Sequence, residues 1–81
     1  MKIIKNKWGE DMKEVQLKDL PKSTRYNPTF FKRTPDANKE WTKEHYVRDE
    51  GWNRYSCGDP YDINHEIFLK GSTKVYVNYY G

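Results

Sequence analysis

The chain has 81 residues, with 15 Lys or Arg against 12 Asp or Glu and a net charge of +3. This length predicts one small domain over residues 1–81 and excludes a large catalytic cleft. No apolar stretch exceeds two or three residues, so no membrane-spanning helix is expected, and Lys5 and Lys7 interrupt any signal-peptide core. The single cysteine, Cys57, cannot form an internal disulfide, which is consistent with a reducing compartment. We therefore expect a cytoplasmic protein that has no membrane partner.

Aromatic residues largely replace aliphatic ones in this chain. There are seven Tyr, three Trp and three Phe, against 11 Ile, Leu and Val together. Because each aromatic side chain buries about 150–250 Å², a few of them are enough to form a small core. Thirteen rings are more than a small six-stranded domain needs inside. Several rings are therefore expected at the surface or in an interface with a partner.

The charges are unevenly distributed along the chain. Residues 1–35 carry nine Lys or Arg and four Asp or Glu. Residues 36–66 carry four Lys or Arg and eight Asp or Glu. One interpretation is that these charges lie on solvated strand faces and that neighbouring charges of opposite sign cancel in the folded chain. The other is that a basic face meets phosphates or an acidic protein.

Short β-rich runs separated by turn residues dominate the pattern, and no long segment has helical periodicity. In chain order, the predicted strands are residues 2–8, 12–17, 41–47, 52–57, 61–70 and 74–80, and residues 29–33 are strand-like. A short helix over residues 39–46, capped by Asn38, is the competing prediction for this region, although the strand is preferred. Phe30 and Phe31 are adjacent, so one of them must face outward or toward a second layer. The fold class predicted is all-β, either a small SH3-like barrel or a curled antiparallel sheet of about six short strands.

The residues that carry chemistry in enzymes form no recognisable site. His45, Cys57 and His65 are too far apart in sequence for a zinc pattern, and nothing next to Cys57 is expected to lower its pKa. Several of the acidic residues lie in predicted turns, where Asp side chains typically accept hydrogen bonds from their own backbone. The five glycines are isolated from one another, so they form no glycine-rich phosphate-binding loop. The sequence therefore predicts a protein that is not an enzyme and holds no metal or cofactor.

Aromatic residues next to cations are the distinctive local pattern. The candidate binding residues are Trp8, Arg25, Tyr26, Lys32, Arg33, Trp41, Trp52, Arg54 and Tyr76. Rings stack on bases while cations contact phosphates, so the pattern fits single-stranded nucleic acid or a nucleotide. Exposed Tyr and Trp are also typical anchors of protein interfaces, and a core poor in aliphatics produces the same pattern. All three interpretations remain open.

From about residue 13 to 80, the chain resembles small SH3-like β-barrel proteins of phages and prophages, which are mostly uncharacterised. The resemblance is carried by residues 17–20, 29–32, 55–57, 62–71 and 74–77. These are mostly strand and turn positions, so the resemblance implies a fold and supplies no catalytic motif. In such proteins a Leu-Lys-x-Gly turn often follows the first strand, whereas this chain has Pro, Lys and Ser at positions 21–23.

The resemblance implies a phage- or mobile-element-encoded protein in the cytoplasm of a bacterial host. We expect a non-enzymatic binding protein that contacts a host protein or protein–nucleic-acid complex, of a nucleic-acid-handling or defence type, as an inhibitor or accessory factor. The alternative is direct binding of single-stranded nucleic acid or a nucleotide on an aromatic and basic face. A second alternative is a small structural subunit, for which a homo-oligomer is possible.

Overall fold

The computed structural model describes residues 2–49 and 52–79, including every side chain in these ranges except those of residues 48, 49, 52 and 63. Seven strands account for most of the described chain. They are β1 (Lys2–Lys5), β2 (Asp11–Gln16), β3 (Phe30–Phe31), β4 (Trp41–Asp49), β5 (Trp52–Asp59), β6 (Asp62–Lys70) and β7 (Lys74–Asn78). The predicted all-β class is confirmed.

The strands form two antiparallel sheets. One has the order β1-β2-β7 and the other the order β3-β4-β5-β6. A single bridge between Lys32 and Tyr76 joins them, because the backbone N–H of each residue donates to the carbonyl of the other at 2.8 Å. Within the described residues no ladder joins β1 to β6, so the sheets do not close. Of the two predicted architectures, the closed SH3-like barrel is therefore not formed, and the seven strands of the described residues fit the prediction of about six short antiparallel strands.

The connection between β2 and β3 begins with one turn of 3-10 helix, Leu17–Asp19. The backbone N–H of Leu17 donates to the carbonyl of Thr73 at 2.9 Å, and that of Lys18 to the carbonyl of Gly71 at 3.0 Å. Pro21 cannot donate to a ladder, which is consistent with extended chain after this turn. The turn thus packs against the connection between β6 and β7.

A small core lies between the two sheets. It is formed by five buried side chains: Leu17, Phe31, Trp41, Cys57 and Val75. Val15, Leu20, Tyr55, Ile67, Leu69 and Val77 pack against them. Of the two adjacent phenylalanines, Phe31 is buried and Phe30 is exposed, as expected from alternation along a strand. Burial of Cys57 confirms that it is a core residue.

β4 is a strand, as favoured over the helix, but its burial does not alternate. Trp41, Thr42 and Lys43 are all buried. Thr42 lies opposite Phe30 in the ladder, on the outer side, where its hydroxyl donates to Glu44 Oε1 at 2.7 Å. The register then shifts between Lys43 and Tyr46, which indicates a bulge. Residues 41–43 therefore alternate between the two sides as expected of a strand, although all three are buried, and the bulge interrupts the alternation after Lys43.

The molecule is elongated, with principal extents of 40 × 26 × 20 Å. No helix among the described residues is long and apolar enough to cross a membrane.

Candidate binding surface

Trp8 lies on a tight turn between β1 and β2, and its ring is 48% exposed. Asn6 holds this turn from inside. Its buried side-chain Oδ1 accepts the backbone N–H groups of Trp8 at 3.0 Å and Glu10 at 2.9 Å, and its Nδ2 donates to Glu10 Oε1 at 3.1 Å. Gly9 has a φ of +79°, which an L-residue with a side chain rarely adopts. The turn is therefore fixed, and the exposed ring is presented by a pre-organised backbone.

Two lysines and one aspartate place the turn against the segment that follows β3. The Lys7 backbone N–H donates to Asp36 Oδ1 at 2.7 Å. The Lys7 and Lys32 ammonium groups lie 4.7 and 5.6 Å from the centre of the Trp8 ring. Such cation–π contacts at exposed sites contribute roughly 0.5–1 kcal/mol each. Trp8 is thus an exposed aromatic ring with cations beside it.

An open groove of about 300 Å³ adjoins this ring through Lys32. Its lining includes Met12, Phe30, Phe31, Lys32, Glu40, Tyr76, Val77 and Asn78. Phe30 is the exposed aromatic of the lining, and Met12 is buried at its base. We call the surface formed by Lys7, Trp8, Phe30, Lys32 and Tyr76 the Trp8 patch.

Tyr76 is held in place from both ends. Its backbone pairs with Lys32, and its hydroxyl donates to Glu14 Oε2 at 2.9 Å. Desolvation and the hydrogen bond to the Glu14 carboxylate raise the pKa of the Tyr76 phenol. The phenol therefore stays neutral at physiological pH and keeps this side of the groove in one arrangement.

A second groove, of about 280 Å³, lies on the other side of Phe30 and Glu40 and is also lined by Tyr61, whose side chain is almost fully exposed. Asp59 and Lys39 form an ion pair next to it, with Oδ2 and Nζ 2.9 Å apart. The Lys39 hydrogen bond, followed by the Tyr61 backbone N–H, lowers the pKa of the Asp59 carboxyl. The Lys39 ammonium group also lies 4.4 Å from the centre of the buried Trp41 ring.

Charges of both signs surround these two grooves. They include the cations Lys7, Lys32 and Lys39 and the anions Asp36, Glu40 and Asp59. An aromatic surface with mixed charges differs from the strongly basic groove that nucleic-acid backbones require. It is typical of protein interfaces, whose anchors are aromatic side chains surrounded by polar groups.

Only part of the set predicted from sequence is brought together. Trp8, Lys32 and Tyr76 meet in the Trp8 patch. Arg33 is exposed in the bend directly after Lys32. Arg25 and Tyr26 contact each other, with the guanidinium carbon 5.4 Å from the ring centre, in the exposed loop before β3.

The remaining three predicted residues lie elsewhere. Trp41 is only 6% exposed and packs in the core, so its ring is not a surface anchor. Its edge meets the half-exposed His65 ring, with centroids 5.1 Å apart, which places His65 at the core rim. Arg54 pairs with Val47, six residues along β4 from Trp41, or about 20 Å of extended chain away. Trp52 begins β5 at the same end of the hairpin, and its side chain lies outside the described residues.

Two ionisable groups in the interior offer no reactive site. The Lys43 amine is buried, donates to the Leu20 carbonyl and lies 4.3 Å from the centre of the Tyr55 ring. Desolvation lowers its pKa, against the opposing effect of Asp19. Desolvation, assisted by Glu44, raises the pKa of the Cys57 thiol to about 12, so the thiolate is not formed near neutrality. The described residues contain no cluster of three or more His, Cys, Asp or Glu that can hold a metal ion.

Five surface or positioning residues are absent from the set predicted from the sequence: Asn6, Lys7, Phe30, Asp36 and Tyr61. Asn6 had a usable signal, because Asn followed three residues later by Gly is typical of a turn closed by the Asn side chain. The contact between Asp36 and Lys7 spans 29 residues, and no local pattern indicates it.

No family profile, curated protein or solved structure matches this chain. The resemblance to small SH3-like phage proteins therefore stays a prediction.

Proposed function

We propose that this chain is a non-enzymatic binding protein, of phage or mobile-element type, that contacts a host nucleic-acid-handling or defence complex through the Trp8 patch. The phage origin and the class of host complex come from the resemblance to small SH3-like phage proteins. The binding role comes from the surface itself.

The observation that carries the proposal is the half-exposed Trp8 ring on a turn fixed by the Asn6 side chain. Exposing a large ring to water is unfavourable, and most rings in a small domain are buried for this reason. A ring presented on an ordered turn loses little conformational entropy when it binds. Trp is also the residue type most enriched among the anchors of protein interfaces.

Mixed charge around the patch favours a protein partner over free nucleic acid. Lys7 and Lys32 lie beside the ring, but Asp36 and Glu40 are adjacent. Phosphate backbones require several uncompensated cations, whereas a protein partner is recognised by rings and a polar rim.

Direct binding of single-stranded nucleic acid or a nucleotide is the second candidate. The observation favouring it is the same pair of lysines over one exposed ring, since a base stacks on an aromatic face while a phosphate meets an ammonium group. Both lysines already lie close to the ring, where they would also be near the phosphate of a nucleotide whose base stacks on it.

Affinity capture from bacterial lysate tests the proposal, with wild type, Trp8→Ala and Tyr46→Ala as bait and with or without nuclease. Tyr46 is the matched control, because it is 52% exposed and lies on β4 outside the patch. We expect a captured protein that persists after nuclease treatment, is lost with Trp8→Ala and is kept with Tyr46→Ala. Equal capture by both variants would reject the Trp8 patch as the site.

The salt dependence of binding separates the two candidates. Between ~50 and ~200 mM salt, nucleic-acid affinity falls by orders of magnitude, whereas an aromatic-anchored protein contact changes much less. A partner lost on nuclease treatment, together with a steep salt dependence for an oligonucleotide, would replace the first proposal with the second.

A further inference from the structure

Two sheet edges are left open by the fold, one on the four-residue strand β1 and one on the nine-residue strand β6. The Lys32–Tyr76 bridge joins β7 of one sheet to the residue directly after β3 of the other. Across both sheets the strand order is therefore β1-β2-β7-β3-β4-β5-β6, with β1 and β6 at the two ends. Among the described residues, no strand pairs with the outer edge of either. β6 is nine residues long, and two of its backbone groups already have partners: the Asn64 N–H donates to Asp62 Oδ1, and the Lys70 carbonyl accepts the Thr73 N–H. Unpaired backbone N–H and C=O groups on such edges readily pair with another strand.

The side chains on the two edges are complementary. β1 carries Lys2 and Lys5 and no acidic residue, although the Lys5 ammonium group also lies 3.4 Å from Asp11 Oδ1 of the neighbouring strand β2. β6 carries Asp62 and Glu66 against one lysine, Lys70. Two β1 edges therefore repel each other, whereas a β1 edge and a β6 edge attract.

Each edge also exposes one large apolar side chain. These are Ile3 on β1 and Phe68 on β6, each more than 40% exposed. Isolated exposed apolar residues are ordinary on protein surfaces, but here each lies on an unpaired edge next to the charges described above. Pairing of the two edges would bury both.

We propose that copies of this chain associate by adding the β1 strand of one copy to the β6 edge of the next. This contact is heterologous: each copy uses a different edge to bind its two neighbours. It is separate from the Trp8 patch, which lies on the turn after β1 and on the grooves around Phe30.

Sedimentation and light scattering from ~5 to ~500 µM test this proposal. Ile3→Glu places an acid opposite Lys13 in its own sheet but against the acidic β6 edge of a neighbour. Phe68→Lys lies opposite Ser56 in its own sheet but against the basic β1 edge of a neighbour. We expect the wild-type mass to rise with concentration, each variant alone to stay monomeric, and an equimolar mixture of the two to associate again.

The mixture distinguishes this arrangement from the alternatives. A wild type that stays monomeric at ~500 µM would overturn the proposal, as would association insensitive to both variants. Sensitivity to only one variant would indicate a symmetric contact of one edge with itself and would also overturn it. Circular dichroism and thermal unfolding show whether each variant is folded, and Ile3→Lys and Phe68→Glu are the charge-matched controls expected to retain association. Capture of the host partner is measured separately, so either proposal can fail alone.

Discussion

The Asn6 side-chain oxygen accepts the backbone N–H of Trp8 at 3.0 Å, so a buried amide fixes the position of a half-exposed indole. Local hydrogen bonds of this kind stabilise the turn and at the same time set the direction of the ring. The same hydrogen bonds therefore contribute to the stability of the fold and to the presentation of the Trp8 ring for binding. Variants of the turn residues measure the two contributions separately.

Replacing Asn6 with Ala removes the acceptor of two backbone N–H groups while the Trp8 ring remains. We expect a loss of about 1–3 kcal/mol in the free energy of unfolding, because these groups lose a partly buried partner. Urea denaturation measures it. At temperatures where the variant is folded, capture of the partner should also fall. Unchanged capture with reduced stability would show that the order of the turn does not matter for binding.

Gly9 also fixes the conformation of this turn, through its positive φ. A Cβ added at Gly9 meets nothing within 4 Å, so a substitution affects only the backbone conformation at φ +79°. We expect Gly9→Ala to destabilise the protein by about 1 kcal/mol and Gly9→Asn by less, because Asn tolerates this region better. Thermal unfolding of the two variants gives the comparison. Equal stability of Ala and Gly at this position would show that the turn adopts another conformation in solution.

The Cys57 thiol makes stability fall at alkaline pH. Its pKa is about 12 in the folded chain and 9.0 as an unperturbed group, so the unfolded chain ionises first as pH rises. The contribution of the neutral Cys57 thiol to the free energy of unfolding is fully present below pH 9 and is lost between pH 9 and pH 12. About 1 kcal/mol of it is lost by pH 10. Urea denaturation at pH 8 and 10 should show a smaller loss for Cys57→Ala than for wild type.

A thiol reagent provides an independent measurement of the same residue. Because Cys57 is fully buried and its thiolate is disfavoured, the folded protein should react orders of magnitude more slowly than the urea-unfolded protein. Rapid labelling of the folded protein at pH 8 would contradict the buried position.

Lys43 produces a pH dependence of the opposite sign. Desolvation lowers its pKa in the folded chain, so the unfolded chain binds the proton more tightly. Stability contributed through this group therefore increases as pH rises from the folded pKa toward the unperturbed value of 10.5. Lys43→Met removes this increase. The difference in unfolding free energy between variant and wild type, measured from pH 7 to 10, should shift steadily in favour of wild type. A pH-independent difference would contradict it.

The strands were predictable because their signal is local. Alternation along β2, β6 and β7 and the turn residues between them depend on neighbours within a few positions. Phe30 and Phe31 were correctly expected to lie on opposite sides, since adjacent residues in any strand do so. Closure of the sheet depends on whether the first and last strands meet, and no local pattern contains that information.

The exposure of Trp8 and the burial of Trp41 could not be predicted from the sequence. Each has a lysine close by in sequence, and in each case a lysine lies over the ring, yet one ring is half-exposed and the other is in the core. Trp41 belongs to a strand that lies between β3 and β5 and faces the second sheet, whereas Trp8 belongs to a turn at the end of a hairpin. Both rings are tryptophans with a lysine within two residues in sequence, and the packing of each ring decides whether it is exposed.

By itself, the sequence determined an all-β chain with many aromatic rings, few aliphatic side chains and turns at defined places. Composition and short-range periodicity are sufficient for these features, because secondary structure follows from local backbone preferences and alternation. The tertiary structure decided which rings are exposed, that Asn6 and Asp36 fix the Trp8 turn, and that the β1 and β6 edges stay open. The contacts of Asn6 are local, but the contact of Asp36 with Lys7 joins residues 29 positions apart. Burial and the open edges likewise depend on the packed molecule rather than on any one segment.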